Sequence, residues 1–265
     1  MKAALEICLT SDVTRAHKVE GRVHSKFRRT INLICGQRLI TVHTPDIPGV
    51  PDDIVVTAAD FDEFMSLPQG ACVTFEGGRV WIHDGHKRID LHGASERRAG
   101  IDQMRGPAKE MLQPVLARFA GRSGFARMAQ AQRTHTREEL KRLCKAQEQK
   151  DVLKALVAVC GCGFGLTPSS DDAAVGIMAA ACAGLLGEFS MPDPQILWIA
   201  LSGRTTDVSR KYLCCAAEKR FSQPLRRLLN AVPGENLQAL AERVAQVGAT
   251  SGADTLAGLL LALTV

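Results

Sequence analysis

The chain has 265 residues, 46% of them hydrophobic and 23% charged, with a net charge of +5 and a pI near 8.8. These proportions describe an ordinary folded chain of one or two domains and exclude the disordered and fibrous classes. The mild basic excess suits small anions and gives little support to nucleic-acid binding, which would also want aromatic platforms among the basic residues.

The first twenty residues, MKAALEICLTSDVTRAHKVE, carry acids and polar groups among their first dozen positions and lack the apolar core of a signal peptide. Nine scattered cysteines, several inside apolar patterns, do not form a disulfide framework, so a reduced, cytoplasmic setting is expected. The longest apolar run, around 173–187, is rich in Ala and Gly and shorter than the roughly 18–20 residues of a membrane span. It reads as a buried helix, and no membrane partner is expected.

Residues 1–95 alternate with period two. TINLICGQRLITVH places Gly36-Gln37 between two β-rich runs, a hairpin pattern. ACVTFEGGRVWIHDGHKRIDL repeats the device at Gly77-Gly78 and Asp84-Gly85, predicting strands over 71–76, 79–83 and 86–91. DIVVT adds a strand, and AADFDEFMSL predicts a short helix beginning near Thr57. A further strand carries Arg22, His24, Lys26 and Arg28 on one face, a basic stripe that reads as a solvated edge or as an anion or subunit contact. Six or so antiparallel strands suffice for a small barrel or sandwich. His83-Asp84-Gly85-His86 is explained by its turn, and no third ligand stands near enough to argue for metal.

The polar stretch HGASERRAGIDQMRG marks a boundary, and residues 96–265 change to helical spacing. Helices are predicted within PAKEMLQPVLARFA, TREELKRLCKAQEQKDVLKALVAVC, DAAVGIMAAACAGLLG, DVSRKYLCCAAEKRF, ENLQALAERVAQVG and GADTLAGLLLALTV. The fold class expected is therefore α+β: an antiparallel, β-rich N-terminal domain followed by an α-helical domain. Nucleotide-binding glycine motifs are absent, and no cofactor or metal is expected.

The segment GCGFGLTPSSDD, residues 161–172, runs directly into the small-residue helix. Pro168 suits a first helical turn, Thr167 suits an N-cap with Ser169 and Ser170 as further partners, and Asp171 and Asp172 complement the helix dipole. Capping alone uses one or two of these side chains. The remainder, with Gly161, Gly163 and Gly165 permitting close backbone approach, points to a site. Adjacent helical residues point about 100° apart, so Asp171 and Asp172 cannot serve the same contact. Ala173, Gly176, Ala180 and Gly184 form a smooth face for a neighbouring helix. GATSGADTLAGLL repeats the ingredients with Thr250, Ser251, Gly252 and Asp254, and two converging helix N-termini would make an anion pocket. Ser209 and Tyr212, three apart, share a helix face with Arg210 and Lys211 beside them. Tyr212 reads equally as a core residue with a bonded hydroxyl. Cys160 and Cys162 lack metal or redox spacing and read as buried thiols.

GFGLTPSSDDAAVGIMAA, VSRKYLCCAAEKRFSQPL, GATSGADTLAGLL and the N-terminal FRRTINLICGQRLITVH resemble four blocks of the AllH family, the small subunit associated with anaerobic oxamate carbamoyltransferase. Ser170 stands where that family's signature most often has glycine. The resemblance implies a cytoplasmic subunit acting with two larger partner subunits in allantoin-derived purine nitrogen catabolism. The implied reaction is carbamoyl transfer between oxalurate and phosphate, giving oxamate and carbamoyl phosphate. Such chemistry wants preorganised donors around an oxyanion. The candidates are the amides at Gly163, Gly165 and Gly252 and the hydroxyls of Thr167, Ser169, Thr250 and Ser251. Asp171, Asp172 or Asp254 is expected to orient an amide or take its proton, and Arg29 and Asn32 to pair with a carboxylate. The alternative is a non-catalytic assembly or anion-sensing subunit whose partners carry the chemistry.

Overall fold

The structure, a computed structural model, describes residues 18–76, 79–82, 86–90, 101 and 106–265. The expected turns at Gly77-Gly78 and Asp84-Gly85, His83, and most of the stretch 92–106 lie outside the described residues. The chain divides into two compact units, within residues 1–99 and 100–265.

The first unit is a curled, half-barrel sheet. Its strands are β1 (Val19–Lys26), β2 (Thr30–Cys35), β3 (Arg38–His43), β4 (Asp53–Val55), β5 (Cys72–Glu76), β6 (Arg79–Ile82) and β7 (Lys87–Asp90), in the spatial order β4-β3-β2-β1-β5-β6-β7. Helix α1 (Ala58–Ser66) lies between β4 and β5 in sequence and begins after Thr57, whose side chain accepts the Asp60 amide at 3.2 Å. Gly36 closes the β2–β3 hairpin with φ 59°. Val23, Ile31, Leu33, Ile40, Val42, Ile54, Phe75 and Val80 build one core with Phe61 and Phe64 of α1.

Two expectations change here. Among the described residues the strand pairs are antiparallel except β3–β4, which is parallel. Asp52, at φ 54°, turns the chain into that pairing, and its carbonyl accepts the Thr41 amide at 2.9 Å. A buried pair fastens it: His43 Nε2 lies 3.0 Å from Asp53 Oδ2, while His43 Nδ1 donates to the Thr44 carbonyl at 2.8 Å. Of the basic stripe, moreover, Arg22, His24 and Lys26 are on β1 in the middle of the sheet and not at an edge, while Arg28 falls in the turn after it. Lys26 is spent on the end of α1, donating to the carbonyls of Met65 at 3.0 Å and Leu67 at 2.9 Å, where the helix dipole favours a cation.

The second unit is helical: α2 (Lys109–Ala117), α3 (Gln130–Lys145), α4 (Gln149–Val159), α5 (Ser169–Cys182), α6 (Pro194–Ala200), α7 (Asp207–Ala217), α8 (Gln223–Leu229), α9 (Leu237–Ala245) and α10 (Ser251–Thr264). Short 3₁₀ turns at Ala120–Arg122 and Gly124–Arg127 link α2 to α3. The segment read as one helix over 136–160 is two, broken at Ala146 and Glu148, which are extended. The Gln147 carbonyl there accepts the Ser190 amide at 2.9 Å, a tertiary bond that replaces a helical one. Among the described residues no helix is long and apolar enough to cross a membrane.

The central pair is α5 against α10. A Cβ on Gly176 would stand 2.0 Å from the Thr255 carbonyl oxygen, and one on Gly258 would stand 1.9 Å from that of Ala173. The two backbones therefore touch with no side chain between them, and the start of each helix comes near the start of the other. Gly184 does not share this face. It ends α5 at φ 71°, with nothing within 4 Å of an added Cβ.

Gly176→Ala should destabilise the chain by about 1–3 kcal/mol or more, because the methyl cannot be placed without parting two backbones. Gly187→Ala, which meets nothing within 4 Å, should move stability by less than about 0.5 kcal/mol. Denaturant titration of both variants checks this; equal effects would refute the backbone contact.

Candidate functional site

The segment entering α5 is a folded loop. Gly161, Gly163 and Gly165 have φ of 85°, 126° and 95°, a left-handed conformation that side chains resist. A Cβ on Gly163 would lie 2.6 Å from the Ser169 amide nitrogen, so loop and helix start are in contact. Ser170, already helical, accepts the Cys162 amide at 3.0 Å through its hydroxyl and sends its own amide to the Cys162 carbonyl at 3.0 Å. A serine therefore serves at this position without left-handed backbone.

Asp171 is the hub of this loop. Its Oδ1 accepts the Gly161 amide at 2.7 Å and the Ser170 hydroxyl at 3.0 Å; its Oδ2 accepts the Ser209 hydroxyl at 2.6 Å and that of Thr205. Four donors fill the carboxylate, so Asp171 positions the loop and leaves no lone pair for a reacting group. Ser209 is committed to the same task. Burial, reinforced by the Asp171 charge, pushes the Cys160 thiol well up, keeping it protonated.

The capping expected of Thr167 is not made. Pro168 precedes α5 with no side-chain cap, and the Thr167 hydroxyl bonds that of Ser251, at the start of α10, at 2.7 Å. Thr250 likewise makes no cap bond. Gly252 lets α10 start against the end of α9, where a Cβ would stand 1.8 Å from the Val244 carbonyl oxygen. The hydroxyls that would close two separate helix ends instead join them.

Between these ends lie two acids with unfinished bonding. Asp254 is 0% exposed. Its Oδ1 accepts the Gly124 amide at 2.8 Å and the Ser123 hydroxyl, while its Oδ2 has no partner. Asp172 Oδ2 and Ser169 Oγ are also buried without partners. Burial pushes the Asp172 carboxyl well above its ordinary 3.8; the hydroxyls of Thr167 and Ser251 pull it back, and the charges of Asp254 and Asp171 raise it further. A buried polar atom without a partner costs on the order of 1–3 kcal/mol, so three in one place call for an explanation.

The remaining candidates lie elsewhere. Tyr212 is half-buried, with the Lys211 ammonium 5.4 Å from its ring centroid. Arg29 and Asn32 belong to the sheet. Arg29 pairs with Asp46 at 2.7 Å on the surface, and Asn32 bonds Ser25 and Thr41 inside it. The reading of the sequence missed Ser123 and Gly124, which hold Asp254, and Thr205, which helps fill Asp171. It also missed Thr206, which caps α7 and donates to the Leu166 carbonyl at 2.6 Å. Among the described residues no group of three or more His, Cys, Asp or Glu is arranged to hold a metal ion.

Residues 159–263 match the family described as oxamate carbamoyltransferase subunit AllH, and residues 3–96 match the AllH family N-terminal domain. Together these matches cover most of the chain. No solved structure matches it.

The raised Asp172 carboxyl has a consequence for stability. The folded chain holds this proton above pH 3.8, where the unfolded chain releases it, so the associated stability is lost as pH rises through that window toward the folded value. Asp172→Asn, which cannot ionise, should gain stability relative to the parent as pH is raised from about 4 to 8. Denaturant titrations across that range measure the difference, and a difference constant with pH would contradict the assignment.

Proposed function

The chain belongs to the AllH family, and on that premise we propose that it forms part of the carbamoyl-transfer site of an oxamate carbamoyltransferase, at the joined starts of α5 and α10. The observation that carries this reading is the buried set of Asp172, Asp254 and Ser169 with open hydrogen-bonding positions. The reaction is carbamoyl transfer between oxalurate and phosphate in the cytoplasmic breakdown of allantoin-derived nitrogen, in a complex with two larger subunits.

A phosphate oxygen donates a lone pair to the carbamoyl carbon of oxalurate, and the carbonyl becomes a tetrahedral oxyanion. When the oxyanion collapses, the bond to the oxamate nitrogen breaks with its electron pair, and that nitrogen takes up a proton. The products are oxamate and carbamoyl phosphate. The proton lost by the phosphate balances the one gained by nitrogen. Asp172, held protonated by its surroundings, is suited to give the proton to nitrogen and recover one from phosphate. Two helix N-termini supply positive potential for the oxyanion, and the hydroxyls of Thr167, Thr250 and Ser251 supply donors around it. The backbone at Gly163, Gly165 and Gly252 borders the same junction.

A second reading has its own support. Phe164 is 60% exposed and Leu166 44% exposed, both inside the glycine loop. Apolar side chains held outward by a rigid loop suit a partner subunit's surface, and an assembly role places the chemistry in that partner.

With the complex reconstituted from its subunits, Asp254→Asn and Asp172→Asn should each lower kcat by about 10²–10³ while the complex still elutes intact. Phe164→Ser combined with Leu166→Ser should weaken assembly by about tenfold or more. Normal turnover in both Asp variants would remove the catalytic role and leave the assembly reading.

A further inference from the structure

Gly124 packs directly against three side-chain oxygens in the helical unit. A Cβ there would stand 2.3 Å from Ser169 Oγ, 3.1 Å from Asp254 Oδ2 and 3.2 Å from Thr250 Oγ1. The first two of these atoms are buried and without partners, in side chains 1% and 0% exposed respectively. Asp254 is fixed in place, because the Gly124 amide and the Ser123 hydroxyl hold its other oxygen. Three oxygens from α5, α10 and its preceding residue thus surround one point, with the least bulky residue as its floor.

The chemistry of that point selects its occupant. A carboxylate oxygen only accepts, and a hydroxyl accepts once its own proton is placed. An anion brought there would meet the Asp254 charge in a medium of low dielectric, where repulsion is strong. A flat, uncharged group with two N–H bonds meets both requirements, since each hydrogen finds an acceptor and no charge is opposed. We propose that Ser169, Thr250 and Asp254, around Gly124, form a subsite for the planar –NH₂ of a primary amide or carbamoyl group. This assignment rests on the transfer reaction proposed above, which it deepens by saying which end of the substrate the acids face. The anionic end of the same molecule is excluded from the cradle and left to the helix ends and the hydroxyls of Thr167 and Ser251. Gly124 is then a positioning residue: its φ is outside the left-handed region, so the backbone permits alanine, but the added Cβ would press on Ser169 Oγ and displace the oxygens of the subsite.

Two isosteric pairs test this, each exchanging –NH₂ for –CH₃: carbamoyl phosphate against acetyl phosphate, and oxamate against pyruvate. Binding is measured by calorimetry on the full chain and on the reconstituted complex. In at least one pair the amide should bind roughly tenfold to a hundredfold more tightly, the size of one or two hydrogen bonds to a charged acceptor. The pair that discriminates identifies whether the group is the carbamoyl donor's or the oxamate amide. Gly124→Ala and Asp254→Asn, with circular dichroism showing that each folds, should abolish the difference, and the milder Ser169→Ala should reduce it. Equal binding within both pairs overturns the subsite. So does discrimination that survives all three variants, no binding of any of the four probes, or stabilisation by ammonium chloride with no discrimination. Turnover of the parent complex is scored separately: transfer without discrimination defeats the subsite alone, and discrimination without transfer defeats the reaction alone.

Discussion

The contact on which the helical unit depends is that of α5 with α10, made by backbone against backbone. Thr255 and Leu259 come so close to Gly176, and Ala173 to Gly258, that no Cβ fits at either glycine. Larger residues would still allow two helices to pack, at the usual 8–10 Å between axes. They would also move the two N-termini apart, and the Thr167–Ser251 bond of 2.7 Å would be lost. Small residues along both helices thus do more than fill a core. They bring two positive helix ends and two acids into a single low-dielectric space, where partial charges act with little screening.

In that space neighbouring carboxyls take opposite parts. Asp171 and Asp172 are adjacent, and the turn of the helix sends them in different directions. Asp171 meets four donors from the glycine loop, α5 and the entry to α7, and its charge is fully bonded. Asp172 is buried beside the charges of two other aspartates, which together outweigh the pull of the Thr167 and Ser251 hydroxyls, so it retains a proton. The loop glycines serve this division. Their left-handed turns let the Gly161 amide reach Asp171 while the Gly163 backbone passes against Ser169.

Much of this was legible in the sequence because it is written in local chemistry. Alternation and turn dipeptides gave the strands, Thr57 gave the start of α1, and the repeated Thr, Ser, Gly and Asp ahead of two small-residue helices marked two like junctions. What was illegible depends on partners distant in sequence. Thr167 has every local attribute of an N-cap, yet its hydroxyl is taken by Ser251, 84 positions away. Ser123 and Gly124 carry no motif, and only the fold sets them against Asp254, 131 and 130 positions on. The helices α6 and α8, of seven residues each, are too short for periodicity to reveal. The break between α3 and α4 has no Gly or Pro to announce it, since its cause is the bond from Ser190 to Gln147. The parallel seating of β4 hangs on His43 and Asp53, whose meeting no pattern of alternation encodes.

That last pair also bears on the helical site. Asp53 is as buried as Asp254, and one of its oxygens likewise lacks a partner. Its charge is nonetheless answered. The Thr44 carbonyl can only accept, so His43 Nδ1 donates to it, and His43 Nε2 is left facing Asp53 Oδ2 at 3.0 Å. Asp254 has no such partner among the described residues; its bonded neighbours are a hydroxyl and an amide, and the ionisable group across the site is another acid, Asp172. Asp53 is thus set against an imidazole, and Asp171 is filled with donors. Asp254 and Asp172 follow neither course. The stability they forgo is the kind that binding of a donor-bearing substrate returns, which is the argument for proposing the site between these two helix ends.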